Sequence, residues 1–284
     1  MPSTPILGLI GRPLSHSFSP AYFQRKWEAL GLAHLQYGLF PLETIEELPA
    51  LLKAQPQLWG FNVTIPYKRA VLPFLDELSE EARAIGAVNV VDIRAGGRLT
   101  GYNTDAYGFR AALEERFPDF RPERALVLGT GGASRAVCFA LRQMGVHYAK
   151  VSRRARGGEA ESSGSGRGVS ALFSSEQAEA GGESGEQVLT YEALEPELLR
   201  EIPLIVNTTP LGMHPLEEGL PPIPYEALGP QHLLYDLIYR PAETRFLARG
   251  RLAGARVLNG LRMLELQADA SWRIWSKGRI FGLR

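Results

Sequence analysis

Arg124-Ala125-Leu126-Val127-Leu128-Gly129-Thr130-Gly131-Gly132-Ala133-Ser134 is an apolar run that ends in a cluster of glycines. The run reads as a buried strand and the glycines as a tight turn. Ala133–Met144 then reads as an apolar helix closed by Gly145, and Ala149–Arg153 as the next strand. Strand, turn, helix and strand make the start of a βαβ unit. Small residues at such a turn let the backbone approach a pyrophosphate, and the helix N-terminus offers unpaired N–H groups and a positive dipole. A turn that merely needs glycine looks the same. The G-x-G-x-x-G pattern is not met, because its last position is Ser134. The place between strand and helix favours the phosphate reading.

The following strand runs into Val151-Ser152-Arg153-Arg154-Ala155-Arg156. A unit that binds NAD usually carries an acid here, ~20 residues past the loop, to accept from the ribose 2′-hydroxyl. No acid occurs before Glu159. Guanidinium groups suit a 2′-phosphate instead, through charge-assisted and often bidentate bonds. The cofactor implied is NADP. The alternative is a solvated basic loop.

Outward from this unit, short apolar runs alternate with amphipathic stretches, the mark of an α/β fold. Ile6–Ile10 reads as a strand. Ser19-Pro20 opens a helix, serine as N-cap and proline in the first turn, and Gly31 closes it. A strand near Tyr37–Phe40 and a helix over Ile45–Lys53 follow. Gly60–Pro66 reads as a strand with Phe61, Val63 and Ile65 on one face and Asn62 and Thr64 on the other. Such a polar face lines a pocket or belongs to an edge strand facing water. Leu204–Asn207, Leu233–Leu237 and Arg256–Leu258 read as further strands, Thr244–Leu252 and Leu261–Ile274 as helices.

The 284 residues suffice for one large or two small domains. Lys and Arg total 31 and so do Asp and Glu. This balance argues against a broad surface for nucleic acid or acidic membrane. A single cysteine, Cys138, excludes an internal disulfide framework, fits a reducing compartment and should pack as a small apolar residue. The five histidines show no metal-ligand spacing, so no metal is expected. The N-terminal apolar run is too short for a signal core or a membrane span, and a cytoplasmic protein is expected. Glycine, at 30 residues, exceeds the usual share, and eight of these lie in Gly157–Gln187. That stretch of Gly, Ser and Glu has one apolar cluster, Leu172-Phe173. It cannot offset its ordering entropy and reads as a flexible insertion.

Two further segments look chemical. Asn62-Val63-Thr64-Ile65-Pro66-Tyr67-Lys68 sets a lysine just past the polar-faced strand, and Asn89 and Asn103-Thr104-Asp105 add short polar groups beside glycines. In order, the chain carries Ser15–Pro20 (SHSFSP), Asn62–Lys68 (NVTIPYK), Gly86–Asn89 (GAVN), Asn103–Asp105 (NTD), Gly129–Arg135 (GTGGASR), Asn207–Met213 (NTTPLGM), Tyr235–Tyr239 (YDLIY) and Asn259–Gln267 (NGLRMLELQ). This series resembles the NADP-dependent shikimate dehydrogenases over nearly the whole chain.

The resemblance implies reduction of 3-dehydroshikimate with NADPH. It implies Lys68 as the catalytic acid/base with Asp105 as its partner. Ser17 and Ser19 would bind the substrate carboxylate, with Tyr239 near it, and Thr64, Asn89, Asp105 and Gln267 the ring hydroxyls. Gly129, Thr130, Gly131, Gly132 and Ala133 would hold the pyrophosphate, and Ser152, Arg153 and Arg154 the 2′-phosphate. Leu237 and Gly260 would lie near the nicotinamide, and Glu80 near the cofactor. Hydride transfer to a ketone leaves charge on oxygen, which a lysine ammonium stabilises and protonates. His16 reads as a structural donor.

The chain departs from the family pattern at Ala106 and Arg262, both usually glycine. Arg262 must therefore point outward or toward a phosphate. Ser152-Arg153-Arg154 replaces Asn-Arg-Thr. The expected architecture is α/β in two domains with a deep cleft between. The substrate domain covers 1–105 with the C-terminal helix 261–284. A Rossmann-like nucleotide domain covers 106–239 with the insertion 157–187, and 240–260 makes the return connection. The partner is a small molecule and the state monomer or homodimer. The alternatives are a quinate/shikimate dehydrogenase using NAD and a catalytically silent NADP-binding sensor. The intact Lys68, Asp105, Ser17 and Ser19 argue against the sensor.

Overall fold

The computed structural model describes residues 4–15, 17–153 and 188–279. His16, Arg154 and the glycine-rich stretch 157–187 lie outside them. The chain divides into two compact units, residues 1–108 with 264–284, and residues 109–263.

The first unit holds a six-stranded sheet. Its strands are β1 (Ile6–Gly11), β2 (Gln36–Pro41), β3 (Leu58–Val63), β4 (Glu77–Leu78), β5 (Val90–Ile93) and β6 (Leu99–Tyr102), in the order β2-β1-β3-β5-β6-β4. β1 runs parallel to both β2 and β3. β5 is antiparallel to β3 and to β6. β3 is therefore central and not an edge strand. Phe61 and Val63 are buried as the alternation predicts, but Ile65, past the strand end, is 60 % exposed.

The helices begin where local chemistry allows. Helix α1 spans Ser19–Ala29. The residue before it, Phe18, already has helical angles, so Ser19 is the first helical residue and not the cap. Pro20 sits in the first turn, where a missing N–H costs nothing. Gly31 takes φ +71° just past the end. The expected helix over 45–53 is a 3-10 turn, Ile45–Glu47, followed by α2, Leu48–Ala54. Pro49 lacks the N–H that a continuous helix would use, so it starts a new one. Ser79 caps α3 (Glu80–Ile85) by accepting from Ala82 N at 3.1 Å. Helix α4 (Asp105–Arg116) follows β6.

The second unit holds a wholly parallel sheet of β7 (Arg124–Leu128), β8 (His147–Ser152), β9 (Val188–Thr190), β10 (Leu204–Asn207), β11 (Leu233–Asp236) and β12 (Arg256–Leu258). The order β12-β11-β10-β7-β8-β9 reverses at β7. Among the described residues it carries α5 (Gly132–Gln143), α6 (Pro196–Arg200), α7 (Arg245–Leu252) and most of α4. Cys138 is buried on α5. Residues 240–260 carry α7 and β12, and β12 extends this sheet. No helix among the described residues is long and apolar enough to cross a membrane.

The last helix, α8 (Leu261–Ser276), packs Trp272 and Trp275 into an aromatic cluster with Phe23, Trp27 and Tyr37. Phe23 stacks on Tyr37 at 4.8 Å between ring centroids. The end of α8 is tied down by Arg279, which pairs with Asp92 Oδ1 at 2.9 Å. Asp92 is fully buried and also pairs with Arg94. Burial pushes the Asp92 carboxyl upward against the pull of both arginines.

Replacing Arg279 by Ala strands part of this buried charge and should cost about 3 kcal/mol, a low figure for a broken buried pair because Arg94 remains. A buried carboxyl left with one partner and a raised folded pKa destabilises only where it ionises, so urea unfolding should show a larger loss at about pH 8 than at about pH 5. An equal loss at both would contradict this role for Asp92.

Candidate active site

Within the first unit, Lys68 Nζ donates to Asp105 Oδ2 at 2.6 Å. The lysine side chain is 18 % exposed and the aspartate 7 %. Asp105 opens α4, where a carboxylate suits the helix dipole. Its backbone N–H donates to Asn103 Oδ1 at 3.0 Å, and Asn103 Nδ2 donates to Ala87 O. The Asn103 amide thus fixes the turn that aims the carboxylate.

The second carboxylate oxygen, Oδ1, accepts from Asn89 Nδ2 at 2.9 Å. The same amide nitrogen also lies 3.0 Å from Thr104 Oγ1 and 3.2 Å from Gln267 Oε1. Asn89 Oδ1 accepts from Thr104 N at 2.8 Å. On α8, Ser271 donates to Gln267 O and accepts from Asn62 Nδ2 at 3.1 Å. Tyr37 donates to Asn62 Oδ1 at 2.7 Å, and Ser19 hydrogen-bonds to Tyr37. One polar network therefore runs through buried Asn62, Asn89, Thr104, Asp105, Gln267 and Ser271. Each member is satisfied by another, which is what lets so many polar groups lie inside.

Of the sequence-derived candidates, Ser19, Asn89, Asp105, Lys68 and Gln267 join this network. Ser17 lies beside it: its Oγ accepts from Ser19 N at 3.4 Å. Thr64 is half-buried, one residue past β3, and its N–H donates to Ile10 O. The polar face of β3 gives Asn62 to the network and not to solvent. Tyr37 and Ser271 are members of this network that the sequence does not single out, and Asn62 stands out there only as part of a polar strand face. Asn62 carried a signal, since a lone amide flanked by apolar Phe61 and Val63 needs a partner when the strand is buried.

In the second unit, the parallel sheet brings the loops after β7, β8, β10, β11 and β12 to its C-terminal edge. Ligands of such sheets bind there, where the strand order reverses. Gly129 takes φ +111°, and a Cβ on it would lie 2.7 Å from Thr208 Oγ1. Gly131 is the N-cap of α5 with no side chain to cap the first N–H groups, and a Cβ on it would meet nothing within 4 Å. Thr130, Gly132 and Ala133 complete this open turn. It fits an anion: unpaired donors, a positive helix end and free space. Ser152 ends β8 half-buried and Arg153 is exposed beside it, while Arg154 falls outside the described residues.

Leu237 and Tyr239 follow β11, both half-buried. Gly260 N donates to Ile238 O, and a Cβ on Gly260 would lie 2.0 Å from Leu237 O. Asp236 is fully buried; burial pushes its carboxyl up to about 6 against hydrogen bonds from Thr244, Ile238 N and Asn207. Glu80 is exposed in the first turn of α3 and belongs to the first unit, unlike the other cofactor candidates.

The family model of the shikimate dehydrogenase substrate binding domain matches residues 9–91. The shikimate dehydrogenase (NADP(+)) of Carboxydothermus hydrogenoformans is 40 % identical over 277 residues, 96 % of this chain and 92 % of that one. The chain belongs to the shikimate dehydrogenase family. A shikimate 5-dehydrogenase of Thermus thermophilus, solved in complex with NADP(H) and shikimate, is 35 % identical with a TM-score of 0.77, covering 96 % of this chain and 94 % of that one. A quinate dehydrogenase of Corynebacterium glutamicum, solved with NAD, is 30 % identical with a TM-score of 0.78 and the same coverage of 96 % and 94 %.

Two departures from the shikimate dehydrogenase pattern find a structural answer. Ala106 lies inside α4, where no glycine is needed. Arg262 points outward onto Glu115, with its Nε within 3.1 Å of both carboxylate oxygens.

Gly260→Ala and Gly131→Ala should separate by stability. The first must displace the Leu237 carbonyl and should cost about 1–3 kcal/mol as overpacking. The second meets open space in an extended conformation and should leave the melting temperature unchanged. Equal melting temperatures for the two would contradict the tight contact at Leu237.

Proposed function

We propose that this chain reduces 3-dehydroshikimate reversibly to shikimate with NADPH. The Lys68–Asp105 pair, held in a buried amide and hydroxyl network in a chain of this family, carries the reading. The nicotinamide, when bound, supplies the hydride.

The chain's own residues then have distinct tasks. Lys68 uses one of its ammonium donors on Asp105. The others can face a carbonyl oxygen, stabilise its developing charge and deliver the proton. In the reverse direction the same nitrogen receives the proton. Asp105 accepts one hydrogen bond on each oxygen, and each retains capacity for a substrate hydroxyl. Thr64, Asn89 and Gln267 would hold the ring hydroxyls with it. Ser17 and Ser19 would bind the substrate carboxylate, with Tyr239 near it.

In the second unit, Gly129–Ala133 would hold the pyrophosphate. Arg153 and Arg154 with Ser152 would recognise the 2′-phosphate, since no acid stands where the ribose of NAD would need one. Leu237 and Gly260 would lie by the nicotinamide. Glu80 would lie near the cofactor. The likeness to a quinate dehydrogenase favours one second reading, the same chemistry on quinate with NAD.

Formation of reduced nicotinamide from shikimate or quinate with NADP or NAD tests both. Fastest turnover of shikimate with NADP is expected. Preference for quinate with NAD would replace the first reading by the second, and no turnover with any pair would leave a binding protein. Gly131→Ala should weaken NADPH about tenfold, because its methyl would enter the space a pyrophosphate needs. An unchanged dissociation constant would remove this loop from the cofactor site.

A further inference from the structure

The C-terminal edge of the second sheet contains a buried polar knot to which the proposed chemistry assigns no part. Asp236 Oδ1 accepts from Asn207 Nδ2 at 3.1 Å and from Ile238 N at 3.0 Å. Its Oδ2 accepts from Thr244 Oγ1 at 2.6 Å. Asn207 in turn accepts from Thr209 N and Thr209 Oγ1 at 3.0 and 2.7 Å, and donates to Leu211 O. Its own carbonyl accepts from Leu237 N at 3.1 Å. Asn207, Asp236 and Thr244 are at most 1 % exposed.

Two loops meet in these bonds: the one after β10, and the one that leads from β11 to the start of α7. The packing is equally close. Gly212, at φ +103°, would put a Cβ 3.1 Å from Thr244 Cβ, and Gly260 sits against the Leu237 carbonyl. A buried carboxylate adds little net stability, but its charge-assisted acceptor bonds are strong and directional.

We propose that Asp236, with Asn207 and Thr244, is a positioning device that fixes the Leu237–Tyr239 loop against Gly260 in the geometry hydride transfer requires. This rests on the reading above, in which Leu237 and Gly260 lie by the nicotinamide. All three side chains spend their hydrogen bonds on other protein groups. They act by holding backbone, and small misplacement of reacting groups slows chemistry far more than it weakens binding.

Thr244→Val keeps the shape and removes the donor to Asp236; Thr244→Ser restores it. We expect the valine variant to lose about 10–100-fold in kcat per folded molecule, well below its melting temperature. NADPH affinity, read by fluorescence, should stay within about threefold. Serine should recover most of the rate. Should the valine variant not fold, Asp236→Asn serves: it keeps the acceptor for Ile238 N, forces Thr244 to reverse its role, and should lower kcat without lowering the melting temperature. Wild-type kcat in Thr244→Val, or in Asp236→Asn, would overturn the positioning role while shikimate turnover by the unaltered enzyme kept the functional reading. Absence of turnover in the unaltered enzyme would overturn both.

Discussion

Lys68 Nζ and Asp105 Oδ2 lie 2.6 Å apart, largely out of solvent. A buried ion pair contributes little to stability unless its remaining hydrogen-bonding capacity is met. Here Asn89 meets the second oxygen; Thr104, Gln267 and Asn62 bond to Asn89, and Ser271 bonds to Asn62. The rest of the first unit can be understood as the frame for this pair. β3 supplies Asn62, the segment before β5 supplies Asn89, the start of α4 supplies Asp105, and α8 returns from the end of the chain with Gln267 and Ser271. The aromatic packing of Trp272 and Trp275, and the tie of Arg279 to Asp92, hold α8 where those two residues are needed.

The second unit offers something different, open space at an uncapped helix start. A parallel sheet collects its loops at one edge, so residues far apart in sequence become neighbours without any one of them being strained. Glycine serves two purposes there. Gly131 leaves space open, while Gly129, Gly212 and Gly260 permit approaches that a methyl group would forbid. The glycine excess noted in the sequence thus includes placed residues with distinct physical tasks.

Much of this was legible in the sequence. Leu204–Asn207 and Arg256–Leu258 match their predicted strands, because short aliphatic runs between turn residues leave few alternatives. Gly129–Gly132 and Lys68 stood out through position and chemistry. Ser19 as a cap and a continuous helix over 45–53 did not survive, and of the two readings of the β3 polar face the edge strand is the one that fell. Each depends on the angle of a single residue, on one proline, or on which strands pair, and periodicity carries none of these. The partners of Asn62 and Asp236 were hidden for a related reason. Ser271 is 209 residues from Asn62, and Thr244 reaches Asp236 across a loop, so only the folded chain brings the donors to the acceptors.

In the proposed reaction the Lys68 ammonium, oriented by Asp105, would do the proton work. Steady-state turnover of Lys68→Ala, with its NADPH affinity measured alongside, tests it most directly. A fall in kcat of ~10²–10⁴-fold is expected, typical of lost general acid/base catalysis, with a much smaller change in NADPH binding. Near-normal turnover in that variant would contradict it.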